Sequence, residues 1–155
     1  MRITQWGEYG IHFSVMIALE EAKGNVPVGA ERIAQSQGID LHYAQQILQR
    51  LRKQGIVKSV RGPQGGYRLA KPSYEITIKD IIAACEGATL ELICNNKTIN
   101  HSRCGEQDKC ALNVLWKGLK RSIDSFLAAH TLEEFAKNFE EEHEAFSKKN
   151  PLVKR

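Results

Sequence analysis

Residues 45–72 read QQILQRLRKQGIVKSVRGPQGGYRLAKP, and this stretch decides the fold. With Tyr43 just upstream, Ile47, Leu48 and Leu51 recur at i+4, i+5 and i+8, the apolar stripe of a helix with one buried side. Gly55 breaks that helix. 56-IVKSV-60 then alternates apolar and polar residues as a half-buried strand does, and Tyr67-Arg68-Leu69 is its return partner. Between them, the glycines and proline of 61-RGPQGG-66 suit a reversing turn.

Upstream, residues 29–37 form a shorter helix stopped by Gly38, and Ile39-Asp40 makes the turn, with Asp40 capping the next helix. Residues 4–22 read as a longer helix whose Ile11, His12, Phe13, Val15, Met16, Ile17 and Leu19 leave no wholly polar face, so most of it is expected to be buried. Gly24 ends it, and Val26-Pro27-Val28 is a short extended link. Helix, helix, turn, helix, hairpin is the winged form of the helix-turn-helix, which aims its third helix into a DNA major groove. The expected class is mainly α with a small β-hairpin wing.

Charge agrees with that geometry. No Asp or Glu occurs from Leu41 to Tyr74, while Arg50, Arg52, Lys53, Lys58, Arg61, Arg68 and Lys71 do. Seven positive charges thus sit in one segment of a chain whose net charge is +4, leaving the remainder at −3. A basic segment on an otherwise acidic protein calls for a polyanionic partner, here double-stranded DNA. Arg50, Arg52, Lys53 and Lys58 are placed for phosphates, and Arg61 and Arg68 flank the wing. His42, Gln45, Gln46 and Gln49 lie where base edges can be reached, and glutamine matches the paired donor and acceptor of adenine.

Downstream, Thr77-Ile78-Lys79-Asp80 is a capping box opening a helix that runs to about Glu86. After a polar loop comes a longer helix with Leu112, Leu115, Trp116, Leu119, Ile123, Phe126 and Leu127 on one stripe. So small a chain offers that face little to pack on, and the same helix of a second copy is the economical cover, giving a two-fold homodimer. Thr131 and Glu134 cap a final helix, and the tail is expected to fray. The organisation read from these signals is a winged helix-turn-helix domain over 1–75, a connecting helix and loop over 76–110, dimerisation and C-terminal helices over 111–147, and a flexible tail over 148–155. No apolar run nears the ~18 residues of a membrane span, and the first residues lack the marks of a secretory signal. A cytoplasmic protein is expected.

The loop 94-CNNKTINHSRCGEQDKC-110 carries three of the four cysteines among Asn, Lys, Gly and Gln. Such polarity builds no core, so the sulfur points to metal or redox chemistry. Cys85, within 81-IIAAC-85, reads instead as a small core residue.

Taken together, the helix end Leu-x-x-Leu-Arg-Lys-x-Gly, the RGPxGGY wing, the MRIT start and the cysteines after the following helix resemble the Rrf2 family of winged-helix iron–sulfur transcription regulators. The resemblance spans nearly the whole chain. It implies a homodimeric regulator, often a repressor and not an enzyme, whose DNA affinity depends on the presence or redox state of an iron–sulfur cluster. Cys104 and Cys110 match the family's last two cluster cysteines. Cys94 departs from the IscR-type pattern, with nine residues rather than five before the next cysteine, and is a third ligand, a redox partner or a loop thiol. The IscR-type histidine position holds Asn113. Glu8 and His12, one turn apart on the first helix, resemble the RsrR-type arrangement, in which both are donated across the dimer to a 2Fe–2S cluster. Three rivals remain: a zinc site of Cys94, His101, Cys104 and Cys110; a cluster-free thiol sensor pairing Cys94 with Cys104 or Cys110; and a cysteine-dependent enzyme with His101 or His12 as base.

Overall fold

The first helix, α1 (Gln5–Ala22), is started by Thr4, whose hydroxyl accepts from the backbone N–H of Trp6. The computed structural model describes residues 4–89 and 110–149, and no helix among the described residues is long and apolar enough to cross a membrane. Gly7, Gly10, Phe13, Ser14, Val15, Ile17 and Ala18 of α1 are buried. Ile11, His12, Met16 and Leu19 are only half-buried, so α1 is less enclosed than its composition suggests.

Helix α2 (Ala30–Gln37) ends at Gly38, whose φ of 63° is the left-handed conformation that glycine adopts without steric cost. Asp40 then caps α3 (Leu41–Lys53), its carboxylate accepting from the N–H groups of His42 and Tyr43 at 2.8 and 3.2 Å. Of the expected stripe, Ile47, Leu48 and Leu51 are fully enclosed and Tyr43 is half-buried, while Ala44 is also fully enclosed. Strands β1 (Val57–Val60) and β2 (Gly66–Leu69) pair antiparallel in the register Val57↔Leu69 through Val60↔Gly66.

The 26–28 link does more than connect. Val28 exchanges both backbone hydrogen bonds with Tyr67 at 2.8 Å, adding a minimal third rung to the wing. This contact requires Gly66, because a Cβ there would run into the Val28 carbonyl. Gly65 is similarly confined, its missing Cβ falling 2.5 Å from the Val60 carbonyl oxygen.

A 3-10 turn (Ser73–Glu75) leads into α4 (Ile78–Glu86), which opens on the reciprocal capping box between Thr77 and Asp80. After the undescribed segment come α5 (Ala111–Ala128) and α6 (Leu132–Lys149), the latter running past residue 147, where the tail was expected to begin. Backbone hydrogen bonds from Ile78 to His130 and from Leu132 to Ile76 tie the start of α6 to the start of α4. The core is continuous, from Phe13 and Ile17 through Ile33, Ile47, Leu48 and Leu51 to Ile76, Ile81 and Leu132.

Helices α1 and α4 approach so closely that a Cβ on Gly10 would overlap the Cys85 sulfur. Cys85 is fully buried there, the core role its sequence setting implied. Gly10→Ala is therefore expected to destabilise the fold by about 1–3 kcal/mol, the usual range for overpacking. Urea unfolding checks this, and in a Cys85→Ala background the same substitution should cost much less. Equal costs in both backgrounds would remove the sulfur contact as the cause.

Candidate functional site

The residues expected to contact DNA divide between α3 and the wing. His42, Gln45, Gln46, Gln49, Arg52 and Lys53 are all exposed on α3, opposite its buried stripe. Gln46 Nε2 lies 3.0 Å from His42 Nε2, so the two polar tips form a linked pair. Lys58 on β1 and Arg61 in the turn are exposed as well. Among the described residues no carboxylate pairs with these cations, and guanidinium and ammonium groups of this kind match the phosphates that flank a major groove.

Two cations of the same segment are held internally. Arg68 Nη2 donates to Glu21 Oε1 at 2.7 Å, pinning β2 to the end of α1. Arg50, though exposed in part, donates from Nη1 to the Cys85 carbonyl at 2.6 Å and stacks over the Trp6 ring at 4.2 Å. Lys71, left aside as a contact residue in the sequence reading, lines an open cleft of about 430 Å³ with Lys58, Arg68 and Tyr74 at the base of the wing.

The candidate metal ligands fall into two groups. Glu8 is exposed and His12 half-buried on successive turns of α1. The His12 ring packs edge-on against Phe139 of α6, with centroids 5.6 Å apart. Cys110 is a half-buried free thiol at the N-cap of α5. Cys94, Cys104 and the rival zinc donor His101 lie outside the described residues. Among the described residues of one chain, no three His, Cys, Asp or Glu side chains come together as a metal-binding group. The donor chemistry nevertheless suits a mixed-ligand iron–sulfur cluster: thiolate from one segment, and carboxylate and imidazole aligned one helical turn apart on another.

Sequence reasoning missed the carboxylate that organises this end of the molecule. Glu86 Oε1 accepts from the Thr4 backbone N–H at 2.9 Å, the Thr4 hydroxyl at 2.7 Å and the Gly7 N–H at 2.9 Å. Three donors at a helix N-terminus are thereby satisfied by one anion, which the helix dipole also favours. No local motif signals this, since the partners are 79 and 82 residues apart. Nearby, the Thr89 hydroxyl donates to Asp124 of α5, which also holds Lys120 at 2.8 Å. Thr89, the last residue described before Cys110, is thus held against α5.

Cys85, next to Glu86, is unsuited to metal or redox work. Burial, with the Glu86 charge adding to it, pushes its thiol up to about 12 from an ordinary 9.0. The folded protein keeps this proton where the unfolded chain releases it, so Cys85 withdraws stability as pH rises from 9.0 towards about 12. Cys85→Ala should flatten the alkaline fall in unfolding free energy, measured in urea between about pH 8 and about pH 11. An unchanged slope would exclude Cys85 as a source of it.

A helix-turn-helix with an adjoining hairpin, an exposed row of amides and an acid-free basic rim defines a DNA-binding transcription regulator of the winged type. The chain belongs to the Rrf2 family: the family model, described as an iron-dependent transcriptional regulator, matches residues 3–138. It is similar to the HTH-type transcriptional regulator IscR of Xenorhabdus nematophila, 38% identical over 140 residues that cover 90% of this chain and 82% of that protein. Among solved structures, it resembles CymR (YrzC), the global cysteine regulator of B. subtilis, with a TM-score of 0.71 and 29% identity over 89% of this chain and 98% of that one. It also resembles T. potens IscR, with a TM-score of 0.69 and 33% identity over 91% and 90% of the two chains. These relatives are named as regulators rather than enzymes, and the enzyme alternative is set aside.

Proposed function

We propose that the chain acts as a homodimeric repressor whose grip on a two-half-site operator is set by an iron–sulfur cluster, most simply 2Fe–2S. The observation that carries this reading is the placement of Glu8 and His12 on one face of α1, apart from a free Cys110 at the head of α5, whose apolar face is left bare. Donors that form no metal-binding group among the described residues of one chain can meet across a dimer. Cys104 and Cys110 of one subunit would hold the cluster with Glu8 and His12 of the other, and Cys94 stands by as a further thiol. Such a cluster supplies one-electron redox chemistry and a lability that an all-thiolate site lacks. The chain's own residues supply the rest: α3 presents His42, Gln45, Gln46 and Gln49 to bases, and Arg52, Lys53, Lys58 and Arg61 to phosphates. Arg50 and Arg68 retain donors for the same purpose beyond their internal contacts.

Oxygen-free purification tests the reading. Red-brown protein containing iron and acid-labile sulfide is expected, binding its operator with an affinity that changes when the cluster is removed or reduced. Colourless protein holding zinc would favour the zinc site. Metal-free protein that responds to oxidants through a disulfide would favour the thiol sensor.

A further inference from the structure

We propose that Arg50 is a positioning residue rather than only a phosphate contact: its guanidinium fastens the recognition helix α3 to the start of α1, the helix that carries Glu8 and His12, and to the end of α4. Trp6, on the first turns of α1, touches α3 at two points two helical turns apart. Its ring meets Tyr43 edge-on at 5.1 Å and lies beneath Arg50 at 4.2 Å. Arg50 reaches past that ring to donate to the Cys85 carbonyl at 2.6 Å. The next residue, Glu86, returns to α1 through Thr4 and Gly7. The last turn of α3, the first turn of α1 and the last turn of α4 are thus closed into one ring of contacts.

Glu8 directly follows Gly7, the last α1 member of this ring, and Cys94 lies eight residues beyond Glu86 in the sequence. A guanidinium is suited to the junction because its plane stacks on an indole while its edge still donates. A shift of the start of α1 or of the end of α4 therefore pulls on α3 through Arg50 and changes the aim of Gln45, Gln46 and Gln49. This transmission rests on the cluster reading given above, whereas the positioning role does not.

The test uses the full-length protein carrying Trp116→Phe, which leaves Trp6 as the only tryptophan of the chain's two, and every Arg50 variant is compared with that single variant so that any effect at the α5 face cancels. In metal-free protein, Arg50→Gln is expected to shift Trp6 emission to the red and to speed amide exchange over residues 49–53. Arg50→Lys, which keeps the charge but not the planar fork, should move both readouts the same way. With operator DNA, the ratio of affinities between cluster-loaded and cluster-free protein should fall to about one in both variants. If emission and exchange do not move, and affinity drops equally in both states with a salt dependence weakened by about one counterion, Arg50 is a phosphate contact and the proposal is overturned. If the unsubstituted protein itself binds DNA equally in both states, the cluster reading and the transmission fall together. Emission and exchange then decide the positioning role by themselves.

Discussion

Mixing Cys110→Ala subunits with subunits carrying Glu8→Ala and His12→Ala is expected to restore iron–sulfur absorption that neither variant shows alone. In the proposed arrangement each site takes thiolates from one subunit and the carboxylate and imidazole from its partner. A mixed dimer then has one site broken at every ligand class and one site wholly intact. With random exchange, half the dimers are mixed and each has one sound site of two, so absorption should recover to about a quarter of the unsubstituted level. If all ligands come from one chain, every site in every dimer carries a lesion and recovery is nil. Each variant alone should lose the absorption because a cluster held by few protein donors tolerates the loss of none. Retention of the unsubstituted spectrum by the Glu8 and His12 double variant would remove α1 from the site altogether. The experiment reads absorbance and iron content, so it is independent of any effect on DNA.

The parts of this molecule that were legible in its sequence are those whose cause is local. Gly38 and Asp40 act within a few residues of themselves, one by adopting a left-handed turn and the other by accepting from the amides of His42 and Tyr43. The same holds for the Thr77–Asp80 capping box and the glycine-rich wing. The buried stripe of α3 follows from helical periodicity alone, and with it the exposed row of amides. What could not be read is what depends on distant partners. Nothing near Glu86 announces that it closes the first turn of α1, and nothing near Val28 announces its pairing with Tyr67. Arg50 and Arg68 looked like free cations because their partners, Cys85 with Trp6 and Glu21, are remote in sequence. Charge counting places a guanidinium in a segment, whereas packing decides what it touches. Glu8 and His12 share a face by helical spacing, but helical spacing does not say what the proposed dimer would bring against them.

That assembly is open to a direct challenge at α5, where Leu115→Glu is expected to convert the protein to a monomer. Leu112, Leu115, Trp116, Leu119 and Phe126 are exposed along one side of α5, with Leu115 at 59% and Phe126 at 66%, whereas Ile123 and Leu127 are half-buried, Leu127 against the chain's own core. Covering a large aliphatic or aromatic side chain is worth about 1.5–3 kcal/mol, so a face with this many of them gains substantially from a second copy. At a two-fold seam every substitution appears twice, and a glutamate there must be desolvated on both sides close to its own image. Sedimentation should therefore report single chains with unchanged helix content. Operator affinity should fall by about a hundredfold or more, because two half-sites roughly 34–36 Å apart are no longer gripped by linked heads. Residual binding to one half-site should persist, since α3 and the wing are untouched. The same variant also judges the ligand assignment, because it retains Glu8, His12 and every cysteine while separating the two chains. Under the proposed arrangement the monomer is colourless for want of a partner's donors. A monomer that kept its iron and sulfide would place all the ligands on a single chain, and a Leu115→Glu protein that stayed dimeric with full affinity would take α5 out of the interface.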